Sequence, residues 1–400
     1  MTDTQPCNRI DQIRPDAPKL AHLGAYPVGV RTLHLRHDGQ IDILNTRSLP
    51  PPRYSRPLTV ELWYPAALGT VPGGQYHTLI RDGVTETTLH GQACRDAAHL
   101  DGRFPLVIIS HGYPGNRLLL SHLAENLASK GYIVASIDHT DSTYADKAAF
   151  GSTLVNRPLD QRFVIDFLAS DNSPVQALVD AENCAVIGYS MGGYGALVFA
   201  GAGVSPAAVA MEGSAPEGLL SCHLEGSASH GALMDARVKC FVPIGPWGAQ
   251  RDIWTAAGLA AIKRPLLIIG GSRDDTSGYE TGIRRIFEQT TGCSRHLLSF
   301  QAAGHNAAAP YPAPLESWQP SPHLDFVPFH HYGDAIWDTV RMNNITQHFV
   351  TAFLGRHLKQ DTAMARHLAL ENAVPDGADW SGFPAGSTLG LQFESRSAGE

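Results

Sequence analysis

Short, continuously apolar runs alternate along this chain with amphipathic stretches of helical length, and no other feature restricts the fold as much. Phe104–Ser110 (FPLVIIS), flanked by Gly102 and Gly112, has no polar position before its last residue, as a strand covered on both faces requires. Behind it the chain reads as helix over Arg117–Lys130, strand over Tyr132–Asp138, helix over Pro158–Ala169, strand over Cys184–Gly188 and helix over Met191–Ala202. The pattern resumes with strands at Lys239–Ile244, Pro265–Gly270 and His296–Phe300, a helix around Gly278–Gln289, and a long helix from about Asp334 to Leu358. Upstream, Val28–Leu35 and Leu58–Tyr64 read as strands joined through the proline-rich loop Leu49–Pro57. Strand–helix repeats of this kind fold as right-handed βαβ units, so the expected class is α/β, with one doubly wound, mostly parallel sheet.

Three stretches interrupt the alternation: Gly69–Gly102, Ser205–Asp235 and Asn306–Gly333. They exceed the usual connections of a compact domain, and loops of that length commonly carry function. The last is expected to form a lid. The expected organisation is an N-terminal leader over 1–27, a catalytic domain over 28–358, and a C-terminal segment over 359–400 in which a helix to about Leu370 precedes an extended tail docked on the body.

Composition narrows the partners. The 400 residues are 43% hydrophobic and 17% charged, enough to bury a large core and to exclude wholesale disorder. With 30 Lys and Arg against 38 Asp and Glu the net charge is −8, which gives no attraction to phosphate backbones or anionic lipid. Nucleic acid is therefore not an expected partner. The six cysteines contain no CxxC pair and read as reduced thiols. No apolar run approaches the roughly 20 residues that span a bilayer, and the first residues lack an apolar h-region, so the expected location is cytoplasmic. A homo-oligomer is compatible with all of this.

The chemistry concentrates at Gly188-Tyr189-Ser190-Met191-Gly192, which lies directly between a strand pattern and a helix pattern. A serine hydroxyl attacks only when a base takes its proton and the backbone presents it clear of the sheet. A sharp strand-to-helix turn presents it, and small residues two before and two after the serine let the backbones crowd there. In such folds the acid and base follow in chain order. Asp274, in GGSRDD after the strand Pro265–Gly270, is the candidate acid, with Asp275 expected to face elsewhere. His305, in AAGHN past the last strand, is the candidate base among 19 histidines. The adjacent pair His330 and His331 has no third ligand at zinc spacing, and no lysine is followed by Ser or Thr as a Walker A loop demands. The amides of Met191 and of Tyr113, in SHGYPG, are candidates for stabilising a negative oxygen. Neighbours of the strand ends, namely His111, His139, Tyr189, Glu212 and Trp247, are candidate pocket residues. This chemistry needs no metal and no cofactor.

The segments SHGYPGNR, IDHTDST, RPLDQRFVIDFL, GYSMGG, IGPWG, GGSRDD and AGHN together resemble the α/β-hydrolase superfamily, in its dienelactone-hydrolase-like and platelet-activating-factor-acetylhydrolase-like branch, over about residues 28–358. The resemblance implies Ser190 as nucleophile, Asp274 as acid, His305 as base, and Tyr113 with Met191 as oxyanion hole. Dienelactone hydrolases proper carry a cysteine nucleophile where this chain has serine, which favours ester over lactone hydrolysis. A carboxylic-ester hydrolase for small to medium esters is expected. An amidase or thioesterase with the same residues, or a non-catalytic binding protein on the same fold, are the alternatives.

Overall fold

The structure, a computed structural model, describes residues 8–147, 149–370 and 380–400. The strands are β1 (Val28–Ile41), β2 (Arg53–Pro65), β3 (Gln75–Leu79), β4 (Glu86–His90), β5 (Cys94–Arg95), β6 (Phe104–Ser110), β7 (Ile133–Asp138), β8 (Val179–Tyr189), β9 (Val238–Ile244), β10 (Leu266–Gly271), β11 (Arg295–Phe300) and β12 (Leu391–Arg396). The helices are α1 (Ser121–Ala128), α2 (Phe150–Ala169), α3 (Met191–Ala200), α4 (Pro206–Ala210), α5 (Ala228–Leu233), α6 (Ala256–Ala260), α7 (Arg285–Gln289) and α8 (Thr339–Leu358). Ten strands form one sheet in the order β12-β11-β10-β9-β8-β6-β7-β2-β1-β5, and β3 with β4 makes a separate hairpin. From β7 to β11 neighbouring strands run parallel, whereas β1, β2 and β12 join antiparallel at the two sides.

Side-chain alternation explains why both faces of the central strands are apolar. Leu106 and Ile108 of β6 pack in the cluster that includes Leu154 and Val164 of α2 and Leu197 of α3. Val107 and Ile109 point to the opposite cluster, with Leu123 of α1 and Phe349 and Phe353 of α8. A sheet buried on both sides leaves only its strand ends available for chemistry. The strand order reverses at β6, which lies between β7 and β8, and Ser110 at the end of β6 pairs with Gly188 near the end of β8. Ligands bind at such a switch point, outside the carboxyl ends of the strands.

Several boundaries differ from the sequence expectation for identifiable reasons. Helix α2 starts eight residues before Pro158, at Phe150, and runs through the proline. Pro158 has no amide to offer the carbonyl four residues back, and the Tyr194 hydroxyl fills the gap by donating to Leu154 O at 2.9 Å. The stretch expected to be a loop up to Pro57 already belongs to β2, which begins at Arg53. Past α8 a short 3₁₀ helix spans Thr362–His367, and Leu391–Arg396 lies extended on the body as the edge strand β12, antiparallel to β11 from Arg295↔Arg396 to Phe300↔Leu391. Among the described residues no helix is long and apolar enough to cross a membrane.

The three long stretches acquire structure. The first contains the β3–β4 hairpin, turning at Asp82-Gly83, where Asp82 Oδ1 accepts the Val84 and Thr85 amides at 3.0 and 2.9 Å. The second is a run of short helical segments, with Ser205 and Ser227 capping α4 and α5. The third is tied shut by Asn306, whose side-chain amide donates to His330 O and Gly333 O, each at 2.8 Å. Asp82 Oδ2 accepts Ser321 Oγ at 2.8 Å, so the first and third stretches are joined.

Candidate active site

Ser190 stands between β8 and α3 at φ 53°, ψ −113°, a region that non-glycine residues avoid. Holding a residue there costs roughly 1–3 kcal/mol, which the surrounding sheet must outweigh. Its amide donates to Ile244 O at 2.9 Å and its carbonyl accepts Tyr194 N at 3.0 Å and Trp247 N at 3.2 Å. The glycines two residues away are steric necessities: a Cβ on Gly188 would lie 2.1 Å from Gly192 O, and one on Gly192 would lie 1.9 Å from Ser110 O.

Asp274 follows β10 and is buried. Its Oδ1 accepts the amides of Thr276 at 2.9 Å and Ser277 at 2.8 Å, which fixes the carboxylate plane and turns Oδ2 toward His305 Nδ1 at 2.8 Å. A carboxylate can only accept, so the imidazole carries its proton on Nδ1, leaving Nε2 to accept from Ser190 Oγ at 3.0 Å. Asp275 does not face away as expected: it is exposed at the rim of the cavity beside Ser190, and among the described residues its carboxylate accepts only from Thr276 Oγ1, at 3.3 Å, with no bond to His305. The His305 loop is held by a residue that sequence reasoning missed: Asp334 Oδ2 accepts Gly304 N at 2.7 Å, and its Oδ1 accepts the Ile336 and Trp337 amides at 2.9 Å.

Neither the Tyr113 nor the Met191 amide donates to another group among the described residues. Both therefore remain available to a ligand oxygen. Tyr189 is the one candidate pocket residue that lines the cavity beside Ser190: its ring is tilted against His305 with centroids 5.2 Å apart, and its hydroxyl lies 3.3 Å from Asn306 Oδ1.

The structure does not bring the other four to that cavity. Glu212 is exposed on the loop after α4. Trp247 packs its ring on Phe150 and Tyr194 and reaches the site only through its backbone amide. His111 and His139 are fully buried beneath the loop that carries Tyr113. His111 Nδ1 donates to Gly112 O at 2.7 Å and Nε2 accepts His139 N at 3.3 Å, a neutral tautomer that burial and the nearby Arg157 charge enforce by pushing its pKa well below the usual histidine value. His139 Nδ1 donates to Asp160 Oδ2 at 2.9 Å and Nε2 accepts Ser110 Oγ at 2.8 Å. Burial first, then Arg157, lowers His139 to about 4. Burial alone would raise Asp160, but Arg56, bidentate to it at 2.9 and 3.0 Å, pulls it down to about 2. Ser110, His139 and Asp160 thus repeat the hydrogen-bond order of Ser190, His305 and Asp274, yet all three are 0% exposed and no substrate reaches them. Access, not hydrogen-bond geometry, separates the two sets.

Ser190 and His305 open onto a cavity of about 340 Å³. Five of its lining residues come from the long stretches: Arg81 from the hairpin turn, and Asn306, Phe326, His330 and His331 from the third stretch, with the Arg81 guanidinium 5.5 Å from the Phe326 ring centroid. His331 is bonded to the Tyr144 hydroxyl at 2.8 Å, with burial keeping the imidazole neutral. A larger cavity of about 790 Å³ beside the hairpin contains none of Ser190, Asp274 and His305.

A serine on a strand-to-helix elbow, with an acid after β10 and a histidine after β11 along the carboxyl edge of a mostly parallel sheet, is the arrangement of the α/β-hydrolase fold, and this chain has that fold. A family model described as PET hydrolase-like matches residues 91–218, a stretch that holds Ser190 but neither Asp274 nor His305. Cutinase 2 of Thermobifida cellulosilytica is 26% identical over 203 residues, 50% of this chain and 60% of its own length. Cutinase cut1 of Thermobifida fusca is also 26% identical over 203 residues, 49% of its length, and cutinase est1 of Thermobifida alba is 35% identical over 91 residues. This chain thus spans about half the length of the curated relatives it matches. A ferulic acid esterase structure from Streptomyces cinnamoneus superposes over 89% of this chain and 94% of its own, with a TM-score of 0.63 at 22% identity, a likeness of fold.

Proposed function

We propose that this chain is a serine carboxylic-ester hydrolase that works through an acyl-enzyme. The observation that carries the reading is the unbroken line from Asp274 Oδ2 through His305 to Ser190 Oγ, at 2.8 and 3.0 Å, ending at a cavity. Ser190 Oγ attacks the ester carbonyl carbon while His305 Nε2 takes its proton, and Asp274 stabilises the resulting imidazolium. The carbonyl oxygen becomes negative and is held by the Tyr113 and Met191 amides. Collapse expels the alcohol, which receives the proton from His305, and water repeats the sequence to release the acid. The cutinase and esterase relatives support an ester over an amide or thioester substrate. Turnover of p-nitrophenyl butyrate, abolished by a serine-directed organophosphate, tests the reading; an untouched rate under the inhibitor contradicts it.

The same proposal extends to substrate size. The third stretch serves as a lid, because Phe326 lines the cavity and the Asp82–Ser321 bond holds the stretch against the hairpin. A site covered in this way favours small to medium soluble esters over a polymer chain. Phe326→Ala is expected to raise kcat/KM for dodecanoyl relative to acetyl p-nitrophenyl esters by roughly tenfold, the scale of one or two methylenes gained or lost in a pocket. An unchanged chain-length profile would assign Phe326 to the surface and remove the lid from the account.

A further inference from the structure

Arg157 of α2 is fully buried and is not within ion-pair distance of any carboxylate among the described residues; Asp160, which lies nearby, is taken by Arg56 and His139. Burial lowers its pKa to about 9, with Asp160 opposing, so the guanidinium stays charged at neutral pH. A buried cation is costly unless something answers its charge. Here the answer comes from the end of β6 and the loops that follow β6 and β7. Arg157 donates to His111 O, to Gly112 O at 2.8 Å, to Ser142 Oγ, and at 3.4 Å to Ser110 Oγ.

The bond to Gly112 O matters because that carbonyl and the Tyr113 N–H belong to one planar peptide unit. In a trans unit the two point in opposite directions, so a donor fixed on the oxygen dictates where the N–H aims. Gly112, Tyr113 and Ser190 all line the cavity, and a Cβ built on Gly112 would lie 3.3 Å from Ser190 Cβ, so this unit sits directly beside the serine. A cation on the carbonyl oxygen also polarises the unit and makes its N–H a stronger donor.

We propose that Arg157 is a positioning residue for oxyanion stabilisation: it clamps the Gly112–Tyr113 peptide so that the Tyr113 amide faces the oxygen that becomes negative when Ser190 attacks. The inference rests on the serine-hydrolase reading above. A merely structural arginine would affect stability; this one governs how the enzyme binds a tetrahedral oxyanion.

The experiment compares wild type, Arg157→Lys and Arg157→Met for p-nitrophenyl butyrate turnover and for inhibition by an alkyl trifluoromethyl ketone, which adds to the serine to give a tetrahedral oxyanion. The expected result is a kcat lower by about ten- to a hundredfold in both variants, below the roughly 10²–10³ lost when an oxyanion donor is deleted outright. KM should stay nearly constant, the ketone Ki should rise by the factor by which kcat/KM falls, and Lys should keep more activity than Met. Where Arg157→Met does not fold, Ser142→Ala, which removes a hydroxyl partner of the same guanidinium, should show the same parallel loss at smaller amplitude. Variants with lowered melting temperature but unchanged kcat and Ki overturn the role of Arg157 alone. A wild type that neither turns over the ester nor binds the ketone overturns the hydrolase reading with it.

Discussion

Ser190→Ala is expected to lower kcat for p-nitrophenyl esters by roughly 10⁶, the size of the loss when a triad nucleophile is removed elsewhere. The melting temperature should barely move. Among the described residues the Ser190 hydroxyl bonds only His305, and alanine keeps the same Cβ at the same positive φ, so no packing is lost and no backbone strain is released. Circular dichroism with the kinetic assay separates the two effects. Loss of activity accompanied by unfolding would place Ser190 in the scaffold instead.

The second large effect belongs to Asp274→Asn. The amides of Thr276 and Ser277 would still claim the side-chain oxygen, so the new NH₂ group would face His305 Nδ1. Nδ1 would then have to accept, its proton would move to Nε2, and the base would present a hydrogen to Ser190 in place of a lone pair. A wrong tautomer of this kind costs roughly 10⁴ in kcat. Asp275→Asn, one residue along on an exposed side chain, should keep kcat on the order of the wild type. The reverse ranking would shift the acid by one position and break the proposed relay.

The central strands were legible because burial on both faces leaves a continuous apolar run, as in FPLVIIS, and because Gly188 and Gly192 bracket the serine at the spacing the elbow demands. Chain order and position just past a strand then pointed to Asp274 and His305. The hairpin was also written in the sequence, as Asp82-Gly83 between the alternating segments QYHTL and ETTLH, a pattern that favours a two-stranded turn. Its strands are short and lie inside an insertion, which hid them. The start of α2 was hidden differently: a proline reads as a first helical residue, and nothing local shows that a tyrosine 36 residues further on will satisfy the carbonyl it leaves free.

The same limit applies to the site. His111 and His139 drew notice as pocket candidates because they neighbour strand ends, but their burial depends on α2 closing over them, and that is a property of packing. Arg157 lay in view within RPLDQRF, and only the fold brings it onto Gly112 O, 45 residues earlier in the chain. Asp334 likewise gains its place from the return of the third stretch to the His305 loop.

Labelling the wild-type protein with a fluorophosphonate and mapping the adduct by peptide mass tests the central claim most directly. The reagent reacts with a serine only where a base removes its proton and donors hold the developing oxyanion, so it reads all the proposed parts at once. One adduct per chain is expected, on Ser190, with labelling lost in a His305→Gln variant that still folds. An adduct on any other serine, or a folded wild type that takes up no label, would contradict it.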